Sequence, residues 1–291
     1  DPDIRFHYLI PNKADERYGC VVNTVGAQVI APGDEYPTKN HPPEYMFDPA
    51  RGRVLREYQL LYIVNGRGVF SNDEGEHEVT KGTIILLRPG KWHTYKPLKG
   101  EGWSEYFIGF SGEMADRSIG MLFQNDKQIF NVGFNRDLVD LYQHAIEIAA
   151  DDKPSTQQLL CGIVMYMLGM INYTMRNNAL ATDRMDQIME QAKAIMQERV
   201  LQSLDPEELA AQLSYSWFRK IFRDYTGYPP AKYFMLVKLR RAQYLLSNTD
   251  QSIKAIAFSL GFKSTEHFYT TFKRVTGSTP NLYRKFSAPE Q

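Results

Sequence analysis

The sequence predicts a two-domain α+β protein: an N-terminal antiparallel β-barrel or jelly roll with a helical segment behind it, then an all-α C-terminal domain of two tandem helix-turn-helix units. Three observations predict this. Between Tyr58 and Phe110 short strand-like runs are broken by Gly and Pro, with no long helical pattern among them. From 136 to 180 the apolar period becomes helical. Near the C-terminus, FRDYTGYPPAKY (Phe222–Tyr233) returns as FKRVTGSTPNLY (Phe272–Tyr283) at an offset of 50 residues, the mark of a duplicated supersecondary unit.

Taken in order, residues 1–45 are Pro-rich and irregular; pieces such as Gly19–Ile30 read as edge strands or as an arm over the next module. Tyr58–Phe70 reads as a hairpin turning at Asn65-Gly66. His77–Tyr95 and Trp103–Phe110 supply further strands. Leu138, Leu141, Ala145 and Ile148 form one apolar helical face. A second helix then runs from Ser155 to about Arg176. Leu159, Leu160, Ile163, Val164, Met167, Met170 and Ile171 are too many for one stripe, so it should be buried on more than one side. Asn177–Asp183 is the linker. The domain boundaries are therefore 1–180 (barrel about 15–115, helices about 136–178) and 184–287, with units at about 205–227 and 252–277.

Met185–Leu201 opens the second domain as a helix, and Leu204–Gln212 is the first helix of the first unit. In that unit's second helix Trp217, Phe218, Ile221 and Phe222 should be buried, leaving Tyr215, Ser216, Arg219, Lys220 and Arg223 outward. Pro230–Asn248 has no breaker and reads as one linking helix of about 18 residues, or roughly 27 Å, close to a turn of B-DNA. In the second unit Ser252 caps a short helix, Gly261 gives the turn, and Phe268 and Phe272 point inward. Lys263, Thr265, Glu266, Tyr269, Thr270 and Lys273 remain outward. Such a mixture of hydroxyls, ring, carboxylate and ammonium suits a helix reading base edges in the major groove of double-stranded DNA. Arg219 is assigned to a guanine, whose O6 and N7 its planar fork matches, and Arg223, Lys238, Arg240 and Lys273 to phosphates. Changing Arg219 to Ala should therefore cost about 1–3 kcal/mol at one base pair and spare the others; equal weakening on all sequences, in a mobility-shift series, would leave it a phosphate contact.

Net charge supports the division. Residues 184–291 carry 16 Lys/Arg against 10 Asp/Glu, and residues 1–183 carry 18 against 24, so a basic half follows an acidic one. Two cysteines, Cys20 and Cys161, fall in different parts of the pattern, which argues against a disulfide framework and fits a reducing cytoplasm. The longest apolar run, Leu159–Ile171, has 13 residues, too few to span a bilayer, so no membrane partner is expected. His93 and His77 alone among the strands do not make a metal site, and no catalytic acid–base pair stands out. Neither a metal nor another cofactor is expected.

Within the barrel, Arg88, Trp92, His93, Tyr95, Trp103, Glu105 and Tyr106 are the candidates for lining its mouth. They combine rings with directional donors and acceptors, the combination that holds a polyol.

The A-x-x-x-G-F, F-K-x-x-T-G-x-T-P and final Y-R elements of residues 184–286 resemble the DNA-binding domain of AraC/XylS-type bacterial transcription regulators. Gly82–His93 and Gly102–Gly112 resemble the cupin-like sensor domain of that family's sugar-responsive branch. The resemblance implies a cytoplasmic homodimer that binds DNA under control of a small effector, most readily a sugar, with the N-terminal arm closing over the pocket and RNA polymerase as a further candidate partner. One place departs from the pattern. Ala257 precedes Ser264 by seven residues, whereas Ala210 precedes Ser214 by four: either this turn is unusually short or, the favoured reading because four residues hardly allow a turn, residues have dropped out of the chain there. The alternative reading is a cupin-type isomerase or hydrolase with a helical partner-docking domain.

Overall fold

A computed structural model of the chain describes residues 5–38, 45–180, 183–202, 204, 209–210 and 214–287. It divides into two compact units, Asp1–Ala179 and Leu180–Gln291.

The first unit contains β1 (Arg5–Tyr8), α1 (Lys13–Arg17), β2 (Val21–Ile30), β3 (Arg53–Val54), β4 (Tyr58–Asn72), β5 (Gly75–Thr80), β6 (Thr83–Leu87), β7 (Trp92–Pro97), β8 (Trp103–Ser111), α2 (Glu113–Leu122), β9 (Ile129–Asn131), α3 (Arg136–Asp151) and α4 (Thr156–Leu180). Every strand pairing is antiparallel, in the order β1-β2-β8-β4-β6-β9, with β5 and β7 also on β4 and β3 on β7. The irregular-looking Gly19–Ile30 is a ten-residue strand between β1 and β8.

The hairpin expected at Asn65-Gly66 is not formed. β4 runs straight through as one 15-residue strand, and its turn comes after Asn72. The register against β8 slips at Val64, between Ile63 and Asn65, and Asn65-Gly66 is the last pair on β8 before β4 takes up β5 and β7. Gly66 sits at φ 82° and a Cβ there would stand 2.2 Å from the Gly102 carbonyl, so both the conformation and the close approach demand glycine.

Strand alternation separates two apolar layers. Leu60, Tyr62, Ile84, Leu86, Tyr106, Ile108 and Phe110 face α2–α4, whereas Leu61, Ile63, Ile85, Leu87, Tyr95, Trp103 and Phe107 face into the barrel. The Tyr142 hydroxyl on α3 donates to the Leu60 carbonyl (3.0 Å), pinning the helix to the sheet.

On α4, Leu160, Ile163, Val164, Met167, Leu168 and Ile171 fill the core. Within this chain α4 is buried on one side only. Leu159, Tyr166 and Tyr173 are 60–70% exposed, and Gly162 and Gly169 lie on the same open face. By length and composition the stretch Thr156–Asn177, whose one charged residue is Arg176, is the one helix among the described residues that could cross a bilayer, a longer stretch than the 13-residue apolar run suggests. Its buried face is part of the domain core, as in the core helix of a soluble domain.

The second unit contains α5 (Asp183–Glu198), α6 (Tyr215–Thr226), α7 (Pro230–Asn248), α8 (Ile253–Ser259), α9 (Thr265–Thr276) and α10 (Pro280–Ser287). The sequence repeat is a repeat in space. Gly227 (φ 79°) and Gly277 (φ 81°) end α6 and α9 in the left-handed conformation that favours glycine. Thr226 Oγ1 donates to the Phe222 carbonyl (2.7 Å) and Thr276 Oγ1 to the Phe272 carbonyl (2.8 Å). Pro230 and Pro280 then start the next helices, where a missing N–H costs nothing. Phe222 meets Tyr233 edge-on (5.4 Å, 82°), and Phe272 meets Tyr283 likewise (5.5 Å, 83°). The short turn of the first unit and most of its first helix lie outside the described residues; Leu209 and Ala210, which are described, are buried beside Phe218 and Phe222.

Candidate functional site

The barrel interior converges on Arg53, carried by the two-residue strand β3. Its Nη2 donates to the Tyr95 hydroxyl and its Nη1 to the Tyr45 carbonyl, both at 2.6 Å, while the guanidinium lies 4.4 Å from the Phe47 ring centre. Its Nε donates to His93 Nε2 (3.4 Å). His93 is fully buried, and its Nδ1 donates to the Lys91 carbonyl (3.1 Å). One ring nitrogen donating and the other accepting describes a neutral imidazole. Burial, and next the neighbouring Arg53, push its pKa down to about 4, in agreement. With both nitrogens engaged, His93 orients Arg53 and offers nothing to a ligand.

Opposite Arg53 stands Glu105 on β8, 2% exposed. Its Oε1 accepts from the Gln28 amide and from the Tyr36 hydroxyl (3.5 Å), but its Oε2 has no hydrogen-bond partner among the described residues. Burial raises its pKa to about 7. These groups, with Tyr8, Gln59 and Phe107, line a cavity of about 30 Å³. Tyr36 and Phe47 occupy the space above it; they pack edge-to-face at 6.3 Å and both lie against Tyr95. Tyr45 forms the wall to an open cleft of about 470 Å³ lined by Asn23, Val54, Leu55, Arg56, Glu57 and Ser111. There Glu57 accepts from Asn23 Nδ2 (2.6 Å) and from Gln59 Nε2 (3.0 Å).

Of the seven barrel residues expected at the mouth, Tyr95 and Glu105 line the cavity and five do not. Tyr106 is one residue from Glu105 and so points through the opposite face of β8, where its hydroxyl accepts from Gln143 Nε2 (3.2 Å). Trp92 is displaced from His93 by the same alternation; its Nε1 donates to the Arg51 carbonyl (3.0 Å). Arg88 spends its guanidinium on the carbonyls of Phe123 (2.8 Å) and Lys127 (3.2 Å), fastening the segment after α2. Trp103 is buried in the barrel core, edge-on to Tyr36 at 5.7 Å. Arg53, Gln28, Tyr36, Tyr45 and Phe47 went unread because they lie in segments of weak periodicity. The one available signal was Gln28, a polar residue inside an apolar strand. Among the described residues no three His, Cys, Asp or Glu come together as metal ligands.

In the second unit, Ser216, Arg219, Lys220 and Arg223 are exposed along α6, and Lys263, Glu266, Thr270 and Lys273 on or just before α9. Thr265 is half-buried at the start of α9, and Ser264 caps that helix through the His267 N–H (3.1 Å). Tyr215 and Tyr269 are half-buried against their units' cores rather than fully outward. Trp217, expected inside, is 40% exposed, because Phe218 and Phe222 already define the buried stripe. Lys238 is not a surface cation: it is 7% exposed, its ammonium lies 4.7 Å from the Phe234 ring centre, and burial lowers its pKa. Arg240 is exposed on α7. His267 and Arg274 are further exposed groups on α9 that the sequence reading passed over.

Comparison with known proteins fits this division. A profile described as an AraC-like ligand-binding domain matches residues 32–168, and one described as a helix-turn-helix domain matches residues 209–285. The chain is 26% identical over 257 residues to the Msm operon regulatory protein of Streptococcus mutans, covering 87% of this chain and 91% of that one. It is 28% identical over 257 residues to the raffinose operon transcriptional regulatory protein RafR of Pediococcus pentosaceus, covering 84% and 89%. It is also 24% identical over 239 residues to the MmsAB operon regulatory protein of Pseudomonas aeruginosa, covering 79% and 75%. The two profiles fall in order on the two units just described and take in most of the chain, which thus belongs to the AraC family of transcription regulators: a ligand-binding domain followed by a helix-turn-helix domain that binds DNA.

Proposed function

We propose that the effector is a neutral polyol, most readily a sugar, held in the barrel between Arg53 and Glu105, and that it alters how a cytoplasmic dimer engages its operator. The observation that carries this is the unpartnered, fully buried Oε2 of Glu105, an acceptor facing a cavity ringed by Tyr, Gln and Arg. Hydroxyl donors satisfy such a group, and aromatic walls suit sugar C–H faces. The three relatives named above carry operon-regulator names, one of them for raffinose. The cavity is far smaller than a typical ligand site, so the effector must displace Tyr36 and Phe47. That displacement gives the ligand the differential contact with two states that any switch requires. The reading assigns the barrel no catalysis, since the buried carboxylate and His93 lack the arrangement of an acid–base pair. Thermal unfolding of the full chain against mono-, di- and trisaccharides tests it: one sugar should raise the midpoint in wild type and fail in Arg53→Ala. A flat panel, with the protein folded, would remove the sugar reading and leave the DNA-binding function standing.

The open face of α4 supports the dimer. Leu159, Gly162, Tyr166, Gly169 and Tyr173 follow a heptad seam, and a Cβ at either glycine would meet nothing within 4 Å, so tyrosines of a second copy can seat there. Tyr166→Asp should convert the dimer to monomers in sedimentation velocity; an unchanged dimer would place the interface elsewhere.

A further inference from the structure

A second cavity lies in the DNA-binding unit, away from the residues expected to read bases. It holds about 500 Å³ and opens between Val200 at the end of α5, Thr226 and Tyr228 beyond α6, and α7. Tyr233, Leu236 and Val237 form its wall; Tyr244, Arg240 and Arg241 form its rim. No Asp or Glu lines it. Two cations rest on rim tyrosines: Lys232 lies 4.9 Å from the Tyr228 ring centre and Arg241 lies 5.1 Å from that of Tyr244. Among the described residues neither of these, nor Arg240, pairs with a carboxylate. Tyr244 is 55% exposed and Tyr228 is 39% exposed, so rings that could be packed away stand open at the mouth.

We propose that this cavity is a second small-molecule site, selective for an amphipathic organic anion with a flat or branched apolar body. Its volume falls within the range of small-ligand sites, and its wall is apolar and aromatic. Arg240 and Arg241 on the rim, Lys232 beside Tyr228 and the absence of an acid in the lining select a negative head group. A DNA phosphate could use the arginines, but it carries nothing to fill an apolar recess; phosphates are met by cations on an open surface. Thr226 and Tyr228 belong to the α6 cap and Val237 to the linking helix, so an occupant spans the joint that sets the direction of α6. Binding there is coupled to DNA binding, and by linkage DNA changes the anion's affinity by the same factor.

Equilibrium dialysis of the full chain with 2-naphthoate, and with the uncharged 2-naphthylmethanol as control, tests the proposal. Naphthoate should bind at least about tenfold tighter than the alcohol, and Arg241→Gln should reduce its affinity about tenfold while leaving the alcohol's unchanged. Val237→Trp, which fills the recess, should abolish binding of both with the helical circular dichroism intact; should that variant unfold, Tyr244→Ala carries the same test with a weakened rather than lost affinity. Equal affinity for acid and alcohol, binding that survives these variants, or no binding at millimolar naphthoate would each overturn the proposal. So would a result in which naphthoate never binds but Arg241→Gln lowers the salt slope of DNA binding, which assigns the rim to phosphates.

Discussion

Glu105→Gln should flatten the pH dependence of the barrel's stability, removing a loss of about 3 kcal/mol between pH 4.5 and pH 7. The Glu105 carboxyl gives up its proton near 4.5 in the unfolded chain and near 7 in the folded one, because burial disfavours the charge. Between those values the folded chain holds a proton that the unfolded chain has released. Stability therefore falls as pH rises through this window and stays low above it. Burial is the first cause, and the Gln28 amide, Arg53 and the Tyr36 hydroxyl only partly offset it. Urea unfolding of the full chain at pH 5 and pH 8 reads the difference. Wild type should lose midpoint across the interval, and the variant should lose less. Equal losses in the two proteins would show that Glu105 is not the titrating group, leaving Glu57, whose pKa burial also raises, as the source. A ligand hydroxyl donating to Glu105 Oε2 favours the carboxylate, so effector affinity should rise with pH over the same range.

Phe222→Ala and Phe272→Ala should each cost about 3–5 kcal/mol and abolish DNA binding, while the barrel keeps its own unfolding transition. Both rings are fully buried. Each lies 5.5 Å from the phenylalanine one turn earlier, with tilts of 49° and 50°, and each meets a tyrosine from the following helix edge-on. Equal geometry predicts equal cost. Trp217 on α6 and Trp103 in the barrel report the two units separately by fluorescence, after replacement of the other tryptophans. A Phe222→Ala cost below about 1 kcal/mol would mean that the first unit's core is looser than its twin's.

The C-terminal unit was readable because its rules are local. Thr, Gly and Pro at fixed spacing write the end of one helix and the start of the next, and phenylalanines four apart write the buried stripe. The barrel strands were readable in number but not in connection: Asn65-Gly66 suits a hairpin turn and a close strand crossing equally well, and only the distant Gly102 carbonyl decides between them. The candidate barrel site was the least legible part. Its cation stands on a two-residue strand, its acceptor on β8, and its cover on a segment without periodicity, so no window of sequence holds them together. Strict alternation on β8 would have excluded Tyr106 once Glu105 was placed inside. Nothing local would have revealed that His93 serves Arg53.

The 19-residue α7 joins two equivalent reading units without a break. A rigid helix of this kind turns by about 100° and advances about 1.5 Å for every residue it contains. Inserting a single residue would therefore rotate one unit out of phase with the other while leaving every side chain that touches a base unchanged. If both units read bases as proposed, the operator's phase is held in the covalent length of α7 and its base sequence in a few exposed side chains.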